Sequence, residues 1–113
     1  MQEFLFLFRS SKGSTDKFSK DEVNAYFTKW GAWFDKLQKE GNYISGDRLV
    51  SDGSKTVSGT DKIITDGPYS ESKEIIGGLA KIYAENIEEA VTISKQCPVY
   101  EVGGSVEVRK IFI

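Results

Sequence analysis

The residues able to do chemistry in this chain are few. It has no histidine and one cysteine, Cys97. A Ser-His-Asp or Cys-His nucleophile is therefore excluded. A zinc site of the His/Cys kind is nearly so. Carboxylates remain, and they act as bases when burial raises their pKa. Asp66 is the first catalytic candidate, because it ends a short β-branched run, residues 62–65, where the chain turns at Gly67-Pro68. The competing reading is a turn-capping aspartate that accepts bonds from the following amides. Asp47 is the second carboxylate candidate.

Arg109 lies inside a strand-like run, so its guanidinium needs a carboxylate, a partner chain or an anion. Glu74, or Glu107 of another chain, is the expected counter-ion. Arg9 and Arg48 pose the same question. Trp30, Tyr83, Arg9, Arg109 and Asp66 form the candidate ligand-binding set. Tyr69 and Tyr83 also suit amphipathic packing. Gly77-Gly78 and Gly103-Gly104 make no G-x-G-x-x-G fingerprint, and there is no Walker loop. No cofactor and no metal are expected. Cys97 without a basic partner reads as a small apolar residue at a helix end.

These groups must be held by one domain of 113 residues. Apolar residues make up 39% and aromatics 12%, enough for a core. The net charge of -2 gives no basic footprint for nucleic acid. The longest apolar run, residues 4–8, is too short to span a bilayer. Met1-Gln2-Glu3 lacks the basic start of a secretion signal. The expectation is a cytoplasmic protein that contacts neither membrane nor nucleic acid.

Residues 4–8 form a strand apolar on both sides, Phe4, Phe6 and Phe8 against Leu5 and Leu7. Helices on one side would leave the other face bare, and a partner subunit is the natural cover. Ser19 followed by Glu22 is a capping box. The helix it starts carries Val23, Phe27, Trp30, Phe34 and Leu37 as its expected core stripe, with Trp30 or Trp33 able to line a pocket. Gly41 stops it. Residues 43–50 suit a strand, 51–59 a hairpin or exposed loop, 62–65 a short strand and 75–83 a long one. Gly77 and Gly78 mark a bulge or close backbone approach within that strand. A second helix from Asn86 carries Ile87, Ala90, Val91, Ser94 and Cys97 as a small-residue face, and Pro98 ends it. Residues 106–113 close the sheet, with Val106 and Val108 on one face and Glu107, Arg109 and Ile111 on the other. The fold class is α+β, a ferredoxin-like β-α-β-β-β-α-β sandwich with two helices on one face of an antiparallel sheet.

The run Asp66-Gly67-Pro68-Tyr69-Ser70-Glu71-Ser72-Lys73-Glu74-Ile75-Ile76-Gly77-Gly78 resembles the signature of the DGPF-type, or YCII-related, family. Cys97-Pro98 after the second helix, Gly103-Gly104, and Val106-Glu107-Val108-Arg109 extend the likeness, as do Gly41 and residues 46–49. The resemblance covers essentially the whole chain. Tyr69 stands where phenylalanine is usual, Leu79-Ala80 where an aromatic is common, and Lys110 where proline is frequent. The resemblance implies a dimeric α/β barrel in which two open sheets pack together. Some members are proposed to use a His-Asp pair, which this histidine-free chain cannot supply. Others lie beside or fused to sigma-factor-like regulators.

Three functions follow as expectations. The first is a homodimeric small-molecule-binding or regulatory domain without classical catalytic residues. The second is a cofactor-free isomerase, lyase or monooxygenase, with a pocket between sheet and helices. The third is an interaction module for a sigma-factor-type regulator.

Overall fold

The computed structural model describes residues 1–67 and 74–112. The middle of the signature, residues 68–73 with Pro68 and Tyr69, lies outside them. Six strands and two helices follow in the order β1 (Gln2–Ser11), α1 (Lys20–Lys39), β2 (Tyr43–Arg48), β3 (Lys55–Ser58), β4 (Ile63–Asp66), β5 (Glu74–Ala84), α2 (Ile87–Ser94), β6 (Ser105–Lys110). A 3₁₀ turn, Pro98–Val102, joins α2 to β6.

The main sheet has the order β2-β5-β1-β6, and every neighbouring pair is antiparallel. Each β-α-β unit skips one strand, so the two units interleave. This is the ferredoxin-like α+β arrangement expected from the sequence. β3 and β4 form a separate hairpin. The turn-rich stretch 51–59 therefore contributes a strand, one more than the expected order allowed. Lys55, Thr56 and Val57 pair with Asp66, Thr65 and Ile64, and β-branched residues suit such a pleat.

The capping box starts α1 as expected. The Ser19 hydroxyl accepts the Glu22 amide at 3.1 Å, and the Ser19 amide donates to Glu22 Oε1 at 3.0 Å. The core face of α1 is rotated from the expected stripe. Tyr26, Trp33 and Leu37 are buried, whereas Phe27 is 37% exposed and sits under the Arg48 guanidinium at 4.4 Å. That cation–π contact gives Phe27 a place outside the core. Of the small-residue face of α2, Ala90, Ser94 and Cys97 are buried, and Ile87 and Val91 are exposed. Small side chains let α2 lie close to β5 and β6.

Phe4, Phe6 and Phe8 of β1 join Ala80, Ile82 and Ala84 of β5 beneath both helices. Trp30, Trp33 and Phe34 fill the space between α1 and the sheet. Trp30 meets Phe8 edge-on at 5.0 Å, and Trp33 stacks on Phe6 at 6.2 Å. This is the space in which an internal pocket was expected, and ring-on-ring packing occupies it.

Gly77 bulges as its type suggested. Phe8 pairs with Gly78 and Arg9 with Ile76, which leaves Gly77 without a partner on β1, while its carbonyl accepts the Leu49 amide at 2.9 Å. At Gly78 a Cβ would come within 2.8 Å of the Asp47 carbonyl, so β2 and β5 can approach there only with glycine. No helix among the described residues is long and apolar enough to cross a membrane.

Candidate functional site

The cross-strand register decides which side chains share the face without helices. Leu7 lies between Leu79 of β5 and Glu107 of β6, and Leu79 faces Asp47 of β2. One row along, Leu5 lies between Lys81 and Arg109, and Lys81 faces Ser45. Arg9 stands at one end, opposite Ile76 and Ser105. Tyr83 stands at the other, opposite Glu3. The result is an apolar strip of Leu5, Leu7 and Leu79 with ionisable groups along both edges. Strands about 4.8 Å apart make this platform roughly 15 Å wide from β2 to β6.

Glu107 organises the β6 edge. Its Oε1 accepts from Arg9 Nη2 at 3.2 Å and its Oε2 from Arg109 Nη1 at 3.3 Å. The carboxylate of the same chain is thus the counter-ion of Arg109, in place of one from another chain. Two guanidiniums on one carboxylate leave a formal charge of +1. An Arg pair of this kind can take a carboxylate, an enolate or a phosphate through directed N–H donors.

Three of the candidate residues, Arg9, Arg109 and Tyr83, therefore share the open face. The other two do not join them. Trp30 is on the opposite side, in contact with Phe8, Tyr26, Trp33 and Phe34. Asp66 ends β4, exposed, with its carboxylate on the Lys55 ammonium. It borders an open recess of about 450 Å³ that Lys12, Asp52 and Ile75 also line. Lys12 and Asp52 pair there at 2.7 Å. Leu79, Lys81 and Asp47 belong to the face but were not grouped with the arginines beforehand. Only the register brings them together.

The remaining reactive groups point away from catalysis. Burial pushes the Cys97 thiol up to about 12, so it is protonated at neutral pH. Burial likewise raises the Tyr26 phenol. A shallow groove of about 380 Å³ runs between α1 and the 3₁₀ turn, bordered by Trp33 and Cys97. Lys29 bonds Glu101 across it at 2.8 Å, and Lys36 bonds Gln96 at 2.8 Å. The buried Trp33 Nε1 has no acceptor among the described residues. Among them there is also no group of three or more His, Cys, Asp or Glu side chains able to hold a metal.

The element order and sheet topology define a ferredoxin-like α+β domain. The sequence pattern of the YCII-related domain matches residues 3–112, and the chain belongs to that family. No curated protein sequence matches it. Among solved structures it is similar to 5-chloro-2-hydroxyhydroquinone dehydrochlorinase (TftG) from Burkholderia phenoliruptrix AC1100, in complex with 2,5-dihydroxybenzoquinone. The TM-score is 0.52 at 14% sequence identity, covering 99% of this chain and 94% of the other. That likeness is one of fold.

Proposed function

We propose that the chain is a homodimeric small-molecule-binding domain whose ligand rests on the open sheet face, enclosed by a second copy. The observation that carries this reading is the division between the two sides of the sheet. The helix side is filled by Phe6, Phe8, Trp30, Trp33 and Phe34. The other side combines Leu5, Leu7 and Leu79 with Arg9 and Arg109. An apolar platform with a few directed polar groups is what a small-molecule site requires. A flat, acidic molecule with a ring or short apolar body fits those groups. A protein of the same fold holding 2,5-dihydroxybenzoquinone supports that class.

The test is calorimetric titration of the chain with 2,5-dihydroxybenzoquinone as probe, beside Arg109→Ala. Binding that weakens at least tenfold in the variant is the expected result. No binding, or equal binding by both proteins, would count against the reading.

A second reading has one specific support, that the neighbour of this fold is an enzyme. Here the base would be a carboxylate, and Asp47 is the one that the register sets beside Leu79 on the platform. Turnover lost in Asp47→Asn with binding retained is the result that would favour this reading.

A further inference from the structure

The chain has two Asp-Gly pairs, Asp52-Gly53 and Asp66-Gly67, and no Asn-Gly. Such a pair rearranges without an enzyme. The glycine amide nitrogen attacks the aspartate Cγ, a C–N bond forms, the Cγ–OH bond breaks and water leaves. The product is a cyclic succinimide. Water then adds back at one of the two ring carbonyls. Opening at one restores aspartate. Opening at the other sends the main chain through Cβ and Cγ, as isoaspartate. The net change is an isomerisation and needs no co-reactant. It requires an amide free of other acceptors, a backbone able to turn its nitrogen towards Cγ, and a protonated carboxyl to release water. Glycine supplies the freedom to turn.

The structure separates the two pairs. At Asp66-Gly67 the glycine amide donates to the Ser54 carbonyl at 2.7 Å, and the Gly67 carbonyl accepts the Thr56 hydroxyl at 2.6 Å. Asp66 pairs with Lys55 in the β3–β4 ladder, and its carboxylate lies on the Lys55 ammonium. Cyclisation there requires the base of the hairpin to open. At Asp52-Gly53 the chain is in neither helix nor strand, and residues 51–54 are exposed. Gly53 has φ +83°, and nothing lies within 4 Å of where its Cβ would stand. Its amide has no acceptor among the described residues. One restraint acts on this pair. The Asp52 carboxylate meets the Lys12 ammonium at 2.7 Å. The hydrogen bond and charge of Lys12 hold the Asp52 carboxyl below its usual range, in the ionised form that does not cyclise. Both side chains are largely exposed, so the ion pair restrains only weakly.

We infer that Asp52 is a site of spontaneous isoaspartate formation, with Lys12 as its restraint. The inference is independent of the reading of the open sheet face. Lys12 and Asp52 line the recess that Asp66 and Gly67 also border. Isoaspartate lengthens the main chain by one methylene and leaves its free carboxylate directly on Cα, one carbon nearer the backbone. The contact with Lys12 is then lost at the present backbone position, and the rim of the recess changes. The new carboxylate is the group that an isoaspartyl carboxyl methyltransferase esterifies with the methyl of a sulfonium donor.

The experiment incubates the full-length chain at neutral pH for weeks. Peptide mapping with electron-transfer fragmentation locates isoaspartate, and uptake of labelled methyl from such a methyltransferase measures its amount. Lys12→Met, Asp52→Glu and the parent chain unfolded in urea are run beside it. In the folded parent, isoaspartate at residue 52 should exceed that at residue 66 by about tenfold, the factor set by one backbone hydrogen bond that must break. In urea the two sites should converge. Lys12→Met should speed the reaction at Asp52 by about threefold, the scale of an exposed ion pair, and leave Asp66 unchanged. Asp52→Glu should lose the methyl uptake of the folded chain, because its longer side chain does not close the same ring. Equal rates at the two sites in the folded chain, or accumulation at Asp66 alone, would overturn the site. A reaction at Asp52 that Lys12→Met leaves unchanged would overturn the restraint. No isoaspartate in the folded chain, while both sites react in urea, would overturn the whole inference.

Discussion

Glu107→Gln separates what the Arg9–Glu107–Arg109 cluster does in one subunit from what it does in a dimer. The two contacts measure 3.2 and 3.3 Å, with side chains 34%, 38% and 69% exposed for Arg9, Glu107 and Arg109. At a charge separation of about 4 Å and an effective dielectric constant of about 20, each pair is worth about 4 kcal/mol of gross attraction. In a free subunit, solvent screening and desolvation reduce the measured sum to about 1 kcal/mol. Once the face is covered the balance changes. Removing one partner of a buried ion pair costs about 3–5 kcal/mol, because charge is left unpaired. Glutamine keeps the shape and one acceptor but leaves two guanidiniums without a counter-charge. The difference, about 2–4 kcal/mol per subunit and twice that in a dimer of two variant chains, corresponds to a loss of dimer affinity of about 1000-fold or more. Sedimentation equilibrium at 0.15 M salt gives the dissociation constant, and thermal melting of dilute protein gives the effect on the monomer. A large change in dimerisation with a small change in monomer stability is expected. A dissociation constant within threefold of the parent would refute the placement of this cluster in the contact.

Three further outcomes concern the scaffold. Gly104→Ala puts a Cβ 2.5 Å from Val99 Cγ2 and 2.6 Å from the Arg9 carbonyl, so β6 must shift. A loss of about 1–3 kcal/mol in urea unfolding is expected, and a loss under about 0.5 kcal/mol would contradict it. Cys97 is buried with its thiol pushed up to about 12. An aromatic disulfide reagent at pH 8 should therefore label it only on unfolding, and labelling at the rate of a free thiol contradicts that burial. The folded pKa lies above the unfolded value, about 8.5, so this contribution to stability is complete below about pH 8.5. It falls as the pH rises towards 12. Ser19→Ala removes the capping box of α1, with an expected loss of about 1 kcal/mol. Hydrogen bonds with Ser19 hold the Glu22 carboxyl below its usual range, so the cap also weakens as the pH falls through the carboxylate range. A pH-independent effect of Ser19→Ala would argue against that coupling.

Much of the fold was legible because local chemistry wrote it. Ser19 and Glu22 mark the start of α1 to the residue. The alternation of Phe4, Phe6 and Phe8 with Leu5 and Leu7 announced a two-sided sheet, and Gly77-Gly78 announced the bulge. The rotation of α1 was not legible. Tyr26, Phe27, Trp30, Trp33 and Phe34 offer two overlapping aromatic stripes. The choice between them depends on Arg48, eleven residues beyond Leu37, reaching Phe27 across the fold. The site was half legible. Arg9, Tyr83 and Arg109 share a face because three strands pair in one register, and residue type alone marked each of them. Asp66 was marked by its turn, but nothing local says that the turn belongs to a hairpin whose lysine takes up the carboxylate.

The central claim is that two copies close over the face carrying Leu5, Leu7, Arg9 and Arg109. Light-scattering mass of the purified chain at micromolar concentration tests it most directly. One chain is 12.6 kDa, and the account predicts a species of twice that, about 25 kDa. A single species at 12.6 kDa would contradict it.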